Sequence, residues 1–135
     1  GAGKKSLFEP ARLRETAGVA VRVARSSFAR KVAFFCRGGH PADLSARVSA
    51  EGAVYANYES DIYKTGDRER RDVENFWLLF DKKVSHEELR EAIRRAAIVG
   101  DATNMARTLA NEPSNILTPA QFAAQRPGKV GEPIP

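Results

Sequence analysis

Three carboxylates near the middle of the chain share a neighbourhood and invite an acid–base interpretation: Glu51, Glu59 and Asp61. Two carboxylates held in different environments can divide the roles of general acid and general base. These three, however, surround the end of a predicted helix close to Lys64. Solvated or ion-paired contacts are therefore favoured over a catalytic pair.

Metal-binding or nucleophilic chemistry would draw on the two histidines and the single cysteine of the chain. His40 lies in a turn and His86 in the first turn of a predicted helix, and neither has a Cys or His partner at zinc-ligand spacing. Cys36 ends an apolar run, which favours a buried structural thiol over a nucleophile that would need a nearby base. We predict no catalytic residue, no metal ligand and no cofactor in this chain.

The opening residues 1–6, GAGKKS, invite comparison with a phosphate-binding loop, because backbone N–H groups in glycine turns bind anions. In the P-loop pattern a Ser or Thr directly follows Gly-Lys, and here a second Lys comes before Ser6. A glycine turn at the end of a strand is therefore favoured. Together with the absence of an initiator Met, this opening predicts a segment from inside a longer protein.

The net charge of +5 raises the possibility of nucleic-acid binding, since clustered arginines contact phosphates. Acidic and apolar residues interrupt each basic group, and no base-recognition motif accompanies them. A solvated basic surface is favoured, and a nucleic-acid-binding module is the alternative hypothesis. Its candidate contacts are Arg68, Arg70, Arg71, Arg90, Arg94 and Arg95.

Composition predicts a folded globular domain: of 135 residues, 42% are hydrophobic and 29% charged. No apolar run approaches the roughly 20 residues that span a bilayer, so no membrane contact is expected. A single cysteine cannot form an intramolecular disulfide and fits a reducing compartment. With no signal-peptide pattern at the start, the sequence predicts a cytoplasmic location.

Hydrophobic periodicity predicts the order helix, strand, helix, strand, helix, and hence an α/β fold. The two strands contain unbroken apolar runs, which predict burial on both faces. Since two strands make a poor sheet, we expect self-association or binding to missing parts of the same protein. The helical spacing of Tyr55 and Tyr58 predicts packing against the sheet. The predicted helices are residues 7–25, 42–58 and 85–109, and the predicted strands are residues 31–36 and 73–80.

The most informative stretch is residues 104–123, where one helix ends and another begins. Pro113 disfavours helix at the residue before it, so the long helix should stop there. Thr118 is a predicted N-cap, with Pro119 at the first helical position and Gln121 at the third, which makes a capping box. Arg107, close to the predicted end of the long helix, should interact with that helix dipole.

This stretch resembles the domain junction of the leucyl aminopeptidases, also called cytosol aminopeptidases, where a run N-x-A-R-x-L-x-N-x-P-x-N-x-x-T-P-x-x-F-A leads into the catalytic domain. Residues 50–65 are similar to the family segment A-E-G-x-x-x-x-x-Y-x-x-D-x-Y-K-T, and residues 1–5 to a strand end of the V-G-L-G-K-K type. The resemblance implies part of a macro-like domain with a mixed sheet and flanking helices, followed by a long connecting helix.

The family members are exopeptidases that bind two divalent metals, usually zinc, manganese or magnesium, and assemble as hexamers. Some bacterial members bind DNA. The metal-binding motifs V-G-K-G-x-T-F-D-S-G-G and N-T-D-A-E-G-R do not occur here, so no catalytic residue is carried over. The resemblance implies a non-catalytic amino-terminal part with a structural and assembly role.

The resemblance also divides the chain into four parts. Residues 1–83 correspond to the carboxyl-side part of the amino-terminal domain, residues 84–112 to the connecting helix and residues 113–125 to the start of the catalytic domain. Residues 126–135, rich in Pro and Gly, are expected to form a flexible tail. The residues assigned to the architecture of the junction are Arg107, Asn111, Pro113, Asn115, Thr118 and Pro119.

Overall fold

The computed structural model describes residues 8–36, 39–59, 72–81 and 83–124. The Arg68, Arg70 and Arg71 group and residues 126–135 lie outside this part of the chain. Helices and strands alternate as expected, and the α/β class is confirmed. The elements are α1 (Pro10–Ser26), β1 (Lys31–Cys36), α2 (Ala42–Asn57), β2 (Asn75–Phe80), α3 (His86–Asn111) and α4 (Pro119–Ala124).

The strands β1 and β2 pair in parallel, in register from Lys31 opposite Asn75 to Cys36 opposite Phe80. Parallel neighbours need a crossover connection, and α2 lies in the segment that joins these two strands. The second strand starts two residues later than the sequence predicts. Ahead of it, the backbone N–H groups of Glu74 and Asn75 both donate to the carbonyl of Arg30, at 2.8 and 3.1 Å.

The prediction that both faces of the strands are buried is wrong for the described residues. Exposure alternates along each strand, because α1 and α2 cover only one face. The covered face includes Phe34 and Phe76, whose rings stack with centroids 5.6 Å apart. On the other face Phe35, Trp77 and Leu79 are each 48–49% exposed. An unbroken apolar run in the sequence does not reveal which face of the strand is left exposed by the packing helices.

The contact between α1 and α2 is built largely from small residues. Ala17 of α1 and Ala46 of α2 are fully buried. A Cβ atom built on Gly52 would collide with the backbone carbonyl of Arg14, and one on Gly18 would lie 3.3 Å from the carbonyl oxygen of Gly52. The backbones of α1 and α2 therefore approach each other closely where the two glycines lie.

The helix α3 packs on the far side of α2 through a stripe of small residues, Ala92, Ala96 and Gly100, all buried. A Cβ on Gly100 would lie only 2.6 Å from Cγ1 of Val54. The N-cap is Ser85 as predicted, with its hydroxyl 3.5 Å from the backbone N of Glu88. Despite its 26 residues, neither α3 nor any other helix in the described ranges is apolar enough to cross a bilayer.

The turn from α1 into β1 uses an unusual residue. The N–H of Ala29 donates to the carbonyl of Ala24, and that of Phe28 donates to Arg25, which is the Schellman arrangement of helix ends. The residue in left-handed conformation is normally glycine, but here it is Phe28, with φ of 57°. A bulky side chain is strained in this conformation, so the turn is held by its hydrogen bonds and by packing.

Candidate domain junction

The carboxyl end of α2 is the place where the long helix α3 is fixed to the rest of the chain. The last carbonyls of a helix have no partners within that helix, and two α3 side chains reach them. Nδ2 of Asn104 donates to the carbonyl of Val54 at 3.2 Å, and the guanidinium of Arg107 donates to that of Tyr55 at 2.9 Å. Arg107 also donates to the side-chain oxygen of Asn104 at 3.1 Å, which joins the two contacts.

A second guanidinium approaches the same helix end from α1. Arg25 donates to the carbonyls of Ala56 and Tyr58, at 3.0 and 3.2 Å, and pairs with the carboxylate of Glu59 at 3.0 Å. The last turn of α2 has no basic residue of its own. Two cations from neighbouring helices therefore supply the positive charge that a helix carboxyl end favours.

Tyr58 lies inside this contact rather than against the sheet, so its predicted position was wrong. The guanidinium carbon of Arg107 lies 4.1 Å from the centroid of the Tyr58 ring, a cation–π arrangement. The hydroxyl of Tyr58 is 3.1 Å from that of Thr108. Arg107 thus binds the carboxyl end of α2. The sequence predicted instead that it would interact with the carboxyl end of its own helix α3, but the last turn of α3 contains no basic residue.

The segment after α3 has the predicted local structure. The N–H groups of Ile116 and Leu117 both donate to the carbonyl of Pro113 at 2.9 Å, forming a tight turn. The backbone N of Gln121 then donates to Oγ1 of Thr118 at 3.3 Å, and the Gln121 side chain accepts from the backbone N of Thr118 at 2.9 Å. The capping box is confirmed. Asn111 and Asn115 are exposed, and Pro119 is the first residue of α4. The assignment of these residues to a domain junction stays a prediction.

The arginines proposed to contact nucleic acid in the first half of α3 are paired with acids of the same helix. Arg94 and Arg95 both bond the carboxylate of Glu91, with shortest distances of 2.8 Å. Hydrogen bonds from Arg94 and then Arg95 lower the pKa of Glu91 to about 2, and the same bond raises the pKa of Arg94. Arg90 lies 4.0 Å from Glu87. The local positive charge is therefore largely neutralised.

Glu51, for which the sequence predicted solvated or ion-paired contacts, is ion-paired and buried at the contact of α1 and α2. Glu51 is 4% exposed, and its carboxylate lies 3.0 Å from Nε of Arg14 and 3.6 Å from Arg47. The Arg14 contact is ionic, since its buried Nε does not align for a hydrogen bond. The adjacent Gly52 was the available indication that this stretch is closely packed.

Charged residues line two clefts on the described surface. One cleft, of about 490 Å³, includes Glu59 and Glu74, which pair with Arg25 and Arg30 at 3.0 and 2.7 Å. Another, of about 720 Å³, lies between the amino ends of α2 and α3 and includes Asp43 and Glu91. In the part of the chain that the structure describes, no three His, Cys, Asp or Glu residues are grouped so as to hold a metal ion.

Cys36 is buried, as predicted, with its sulfur 3.7 Å from the hydroxyl of Ser49. Burial raises the pKa of the Cys36 thiol, and the contact with Ser49 opposes that shift. A thiol held in its neutral form is a poor nucleophile. The structure therefore gives this side chain a packing role.

Comparisons with known proteins place these elements in a family. Residues 1–67 match the family model described as "Cytosol aminopeptidase family, N-terminal domain". A probable cytosol aminopeptidase of Solibacter usitatus is 35% identical over 91% of this chain and 25% of its own length. One of Alkaliphilus oremlandii is 33% identical over 91% of this chain and 26% of its own length.

A solved structure shares the fold. The bottromycin maturation enzyme BotP, in complex with Mn, superposes with a TM-score of 0.73 at 30% sequence identity. The superposition covers 92% of this chain and 25% of that enzyme. The chain thus spans about a quarter of the length of the curated relatives and of the solved structure that it matches. These matches confirm the family resemblance of the motifs, and the chain belongs to the cytosol aminopeptidase family, in which it corresponds to the amino-terminal region.

Proposed function

We propose that this chain is a non-catalytic amino-terminal part of a leucyl aminopeptidase-like protein, with a structural and assembly role. The observation that carries the proposal is the double attachment of α3 to the carboxyl end of α2 through Asn104 and Arg107. The contacts fix the direction of α3, which ends at Asn111 directly before the turn and α4. By holding α3 in one direction, the rest of this chain would position the part of the parent protein that follows the junction.

The parent protein, in this proposal, is a two-metal exopeptidase that releases amino-terminal residues from peptides in the cytoplasm. The names of the aminopeptidase relatives and the Mn bound in the BotP complex support it. The metals, whether Zn, Mn or Mg, would supply an activated water in the part of the parent that lies outside the matched quarter. The open sheet face with Phe35, Trp77 and Leu79 would be covered by further elements of a macro-like domain.

The positioning role is tested by Arg107→Ala. The substitution removes a charged hydrogen bond and a cation–π contact, together about 1–2 kcal/mol at this exposed site. Amide hydrogen exchange in residues 104–111 should speed up about 5–30-fold. The matched control is Arg90→Ala on the same helix, whose side chain is 78% exposed and which should leave exchange there unchanged. Equal exchange in both variants would contradict the role of Arg107.

The non-catalytic role is tested directly with the purified chain. With leucine-p-nitroanilide and added Mn²⁺ or Zn²⁺, we expect no turnover above the metal alone. Activity that follows the chain quantitatively through successive purification steps would contradict this part of the proposal.

The alternative function is nucleic-acid binding, favoured by the net charge of +5. On α3, the side chains of Arg90, Arg94 and Arg95 are 61–78% exposed. Each phosphate contact should steepen the fall of log affinity with log salt concentration by about 0.9. A steep slope that flattens in the triple variant R90E/R94E/R95E would support the alternative, and a flat or undetectable response at moderate salt would remove it.

A further inference from the structure

The helix α3 has two faces of different kinds. One face contacts α2 through Ala92, Ala96 and Gly100, and continues with the polar contacts of Asn104 and Thr108. At about 100° per residue, the side chains on the opposite side form a continuous apolar stripe along the second half of the helix. We call this stripe the α3 seam; its residues are Ile98, Val99, Ala102, Met105, Ala106 and Leu109.

Among the described elements α3 packs chiefly on α2, which leaves four of the six seam residues exposed. Ile98 is 54% and Val99 48% exposed. Ala102 is exposed, and Met105 and Leu109 are half-buried. Apolar residues at positions 98, 102, 105 and 109 follow the four-three-four spacing by which helices pair along a narrow seam. An exposed stripe of this kind marks an interaction surface.

The spacing fits a second copy of the chain as the partner. The order four, three, four is the same in both directions, so two antiparallel copies related by a two-fold axis match along the whole seam. Ile98 of one copy would then lie opposite Leu109 of the other, and Ala102 opposite Met105. Each small residue faces a larger one, which allows close packing.

The charges at the ends of the seam favour the same arrangement. Arg95 lies three residues before Ile98, and Glu112 lies three residues after Leu109. In the antiparallel pair they face each other at both ends, a guanidinium opposite a carboxylate. Arg95 already bonds Glu91 in its own helix, so the second carboxylate would extend an existing network. In a parallel pair Arg95 would face its own copy, and so would Glu112.

We propose that the α3 seam is a homodimer contact in which two copies of α3 pack antiparallel. The inference rests on the assembly role proposed above and names its surface and partner. The seam from Ile98 to Leu109 is about 17 Å long, and an interface of this size is weak on its own. The pairing would therefore be seen at high protein concentration, or within a larger assembly that contains further contacts.

Sedimentation equilibrium of the 135-residue chain over a wide concentration range is the first test. Ile98→Lys should weaken the dimer at least about tenfold, because it replaces an apolar seam side chain with a charge in each copy. The matched controls are Val23→Lys on α1 and Leu79→Lys on the open sheet face, which are 58% and 48% exposed. Both should leave the dimer unchanged. A chain that stays monomeric, or a dimer lost with Leu79→Lys but not with Ile98→Lys, would overturn the inference.

Cysteine pairing tests the antiparallel register. Differently tagged A102C and M105C chains are mixed and oxidised, while Cys36 stays protected by burial. We expect the mixed disulfide between positions 102 and 105, and little of either self-disulfide. A dominant A102C self-disulfide would indicate a parallel pair and overturn the proposal. In a third measurement, R95E should weaken the dimer a few-fold and R95E/E112R restore it.

The outcomes separate this inference from the proposed function. If Arg107→Ala loosens the end of α3 while Ile98→Lys leaves sedimentation unchanged, the positioning role stands and the dimer contact is rejected. If Ile98→Lys dissociates the dimer while Arg107→Ala has no effect on exchange, the contact stands and the positioning role is rejected.

Discussion

The helical layer and the sheet of this molecule differ in how completely their apolar residues are covered. Between α1 and α2, Ala17 and Ala46 are fully buried and Gly52 touches backbone. On the outer face of the sheet, Phe35 and Trp77 are half exposed. Large apolar side chains thus lie on the uncovered sheet face, whereas alanine and glycine make the closest contacts of the helical layer. Hydrophobicity alone does not distinguish the two regions.

A leucine from each region gives the largest test of this comparison. Leu13 of α1 is 5% exposed and Leu79 of β2 is 48% exposed. Leu13→Ala should cost about 2–5 kcal/mol because it leaves a cavity, whereas Leu79→Ala removes a contact that is already half hydrated and should cost much less. Denaturant unfolding of both variants measures the difference. Equal losses would mean that the outer sheet face is covered in solution.

The close helix crossing gives the second test. Gly52→Ala forces a Cβ atom into the carbonyl of Arg14, and overpacking of this kind costs about 1–3 kcal/mol or more. Gly18→Ala would place its Cβ atom 3.3 Å from the carbonyl oxygen of Gly52, which is a tight contact but not a collision. It should therefore cost less, since the gain in helix propensity offsets part of the strain. If thermal unfolding ranks the two variants the other way, α1 and α2 do not cross at Gly52.

The buried carboxylate of Glu51 gives the third test. Glu51→Gln leaves the guanidinium of Arg14 without a counter-charge and should lower the free energy of unfolding by an amount in the lower part of about 1–3 kcal/mol. The loss is limited because the side chains of Arg14 and Arg47 are 42% and 47% exposed and keep contact with water. Glu15→Gln, in an exposed pair with Arg12, should fall within about 0.5 kcal/mol of wild type. Urea unfolding of the two variants should separate them clearly.

The smallest effect is expected from the exposed ion pairs of α3. The pKa of Glu91 is lowered to about 2, below its ordinary value near 4.3. Its contribution to stability is therefore present above about pH 4 and is lost as the pH falls toward 2. The contribution is small because water screens the pair. An NMR titration should place the midpoint of Glu91 below its ordinary value in wild type and closer to that value in R94Q/R95Q; an unchanged midpoint would contradict the assignment of cause.

The sequence predicts local structure here better than it predicts contacts. The bounds of β1 and the caps at Ser85 and Thr118 depend on neighbouring residues, and the structure has them as predicted. The reach of Arg107 to Tyr55 spans 52 residues, and the burial of Glu51 depends on the approach of another helix. Neither of these two contacts depends on residues that are close together in the sequence. The open sheet face was missed because, beyond Lys31 and Asn75 at the strand starts, the residues on both faces of the sheet are apolar.

Asn57, the last residue of α2, pairs with the backbone of Val73, two residues before β2. Its amide accepts from the backbone N of Val73 at 2.9 Å and donates to the carbonyl of Val73 at 3.0 Å, as a neighbouring strand would. Only a group with both a donor and an acceptor makes this pair. Hydrolysis of the amide to aspartate would turn the donor into an oxygen that faces the Val73 carbonyl. The connection between α2 and the approach to β2 would then weaken as the protein ages chemically, without any change in its gene.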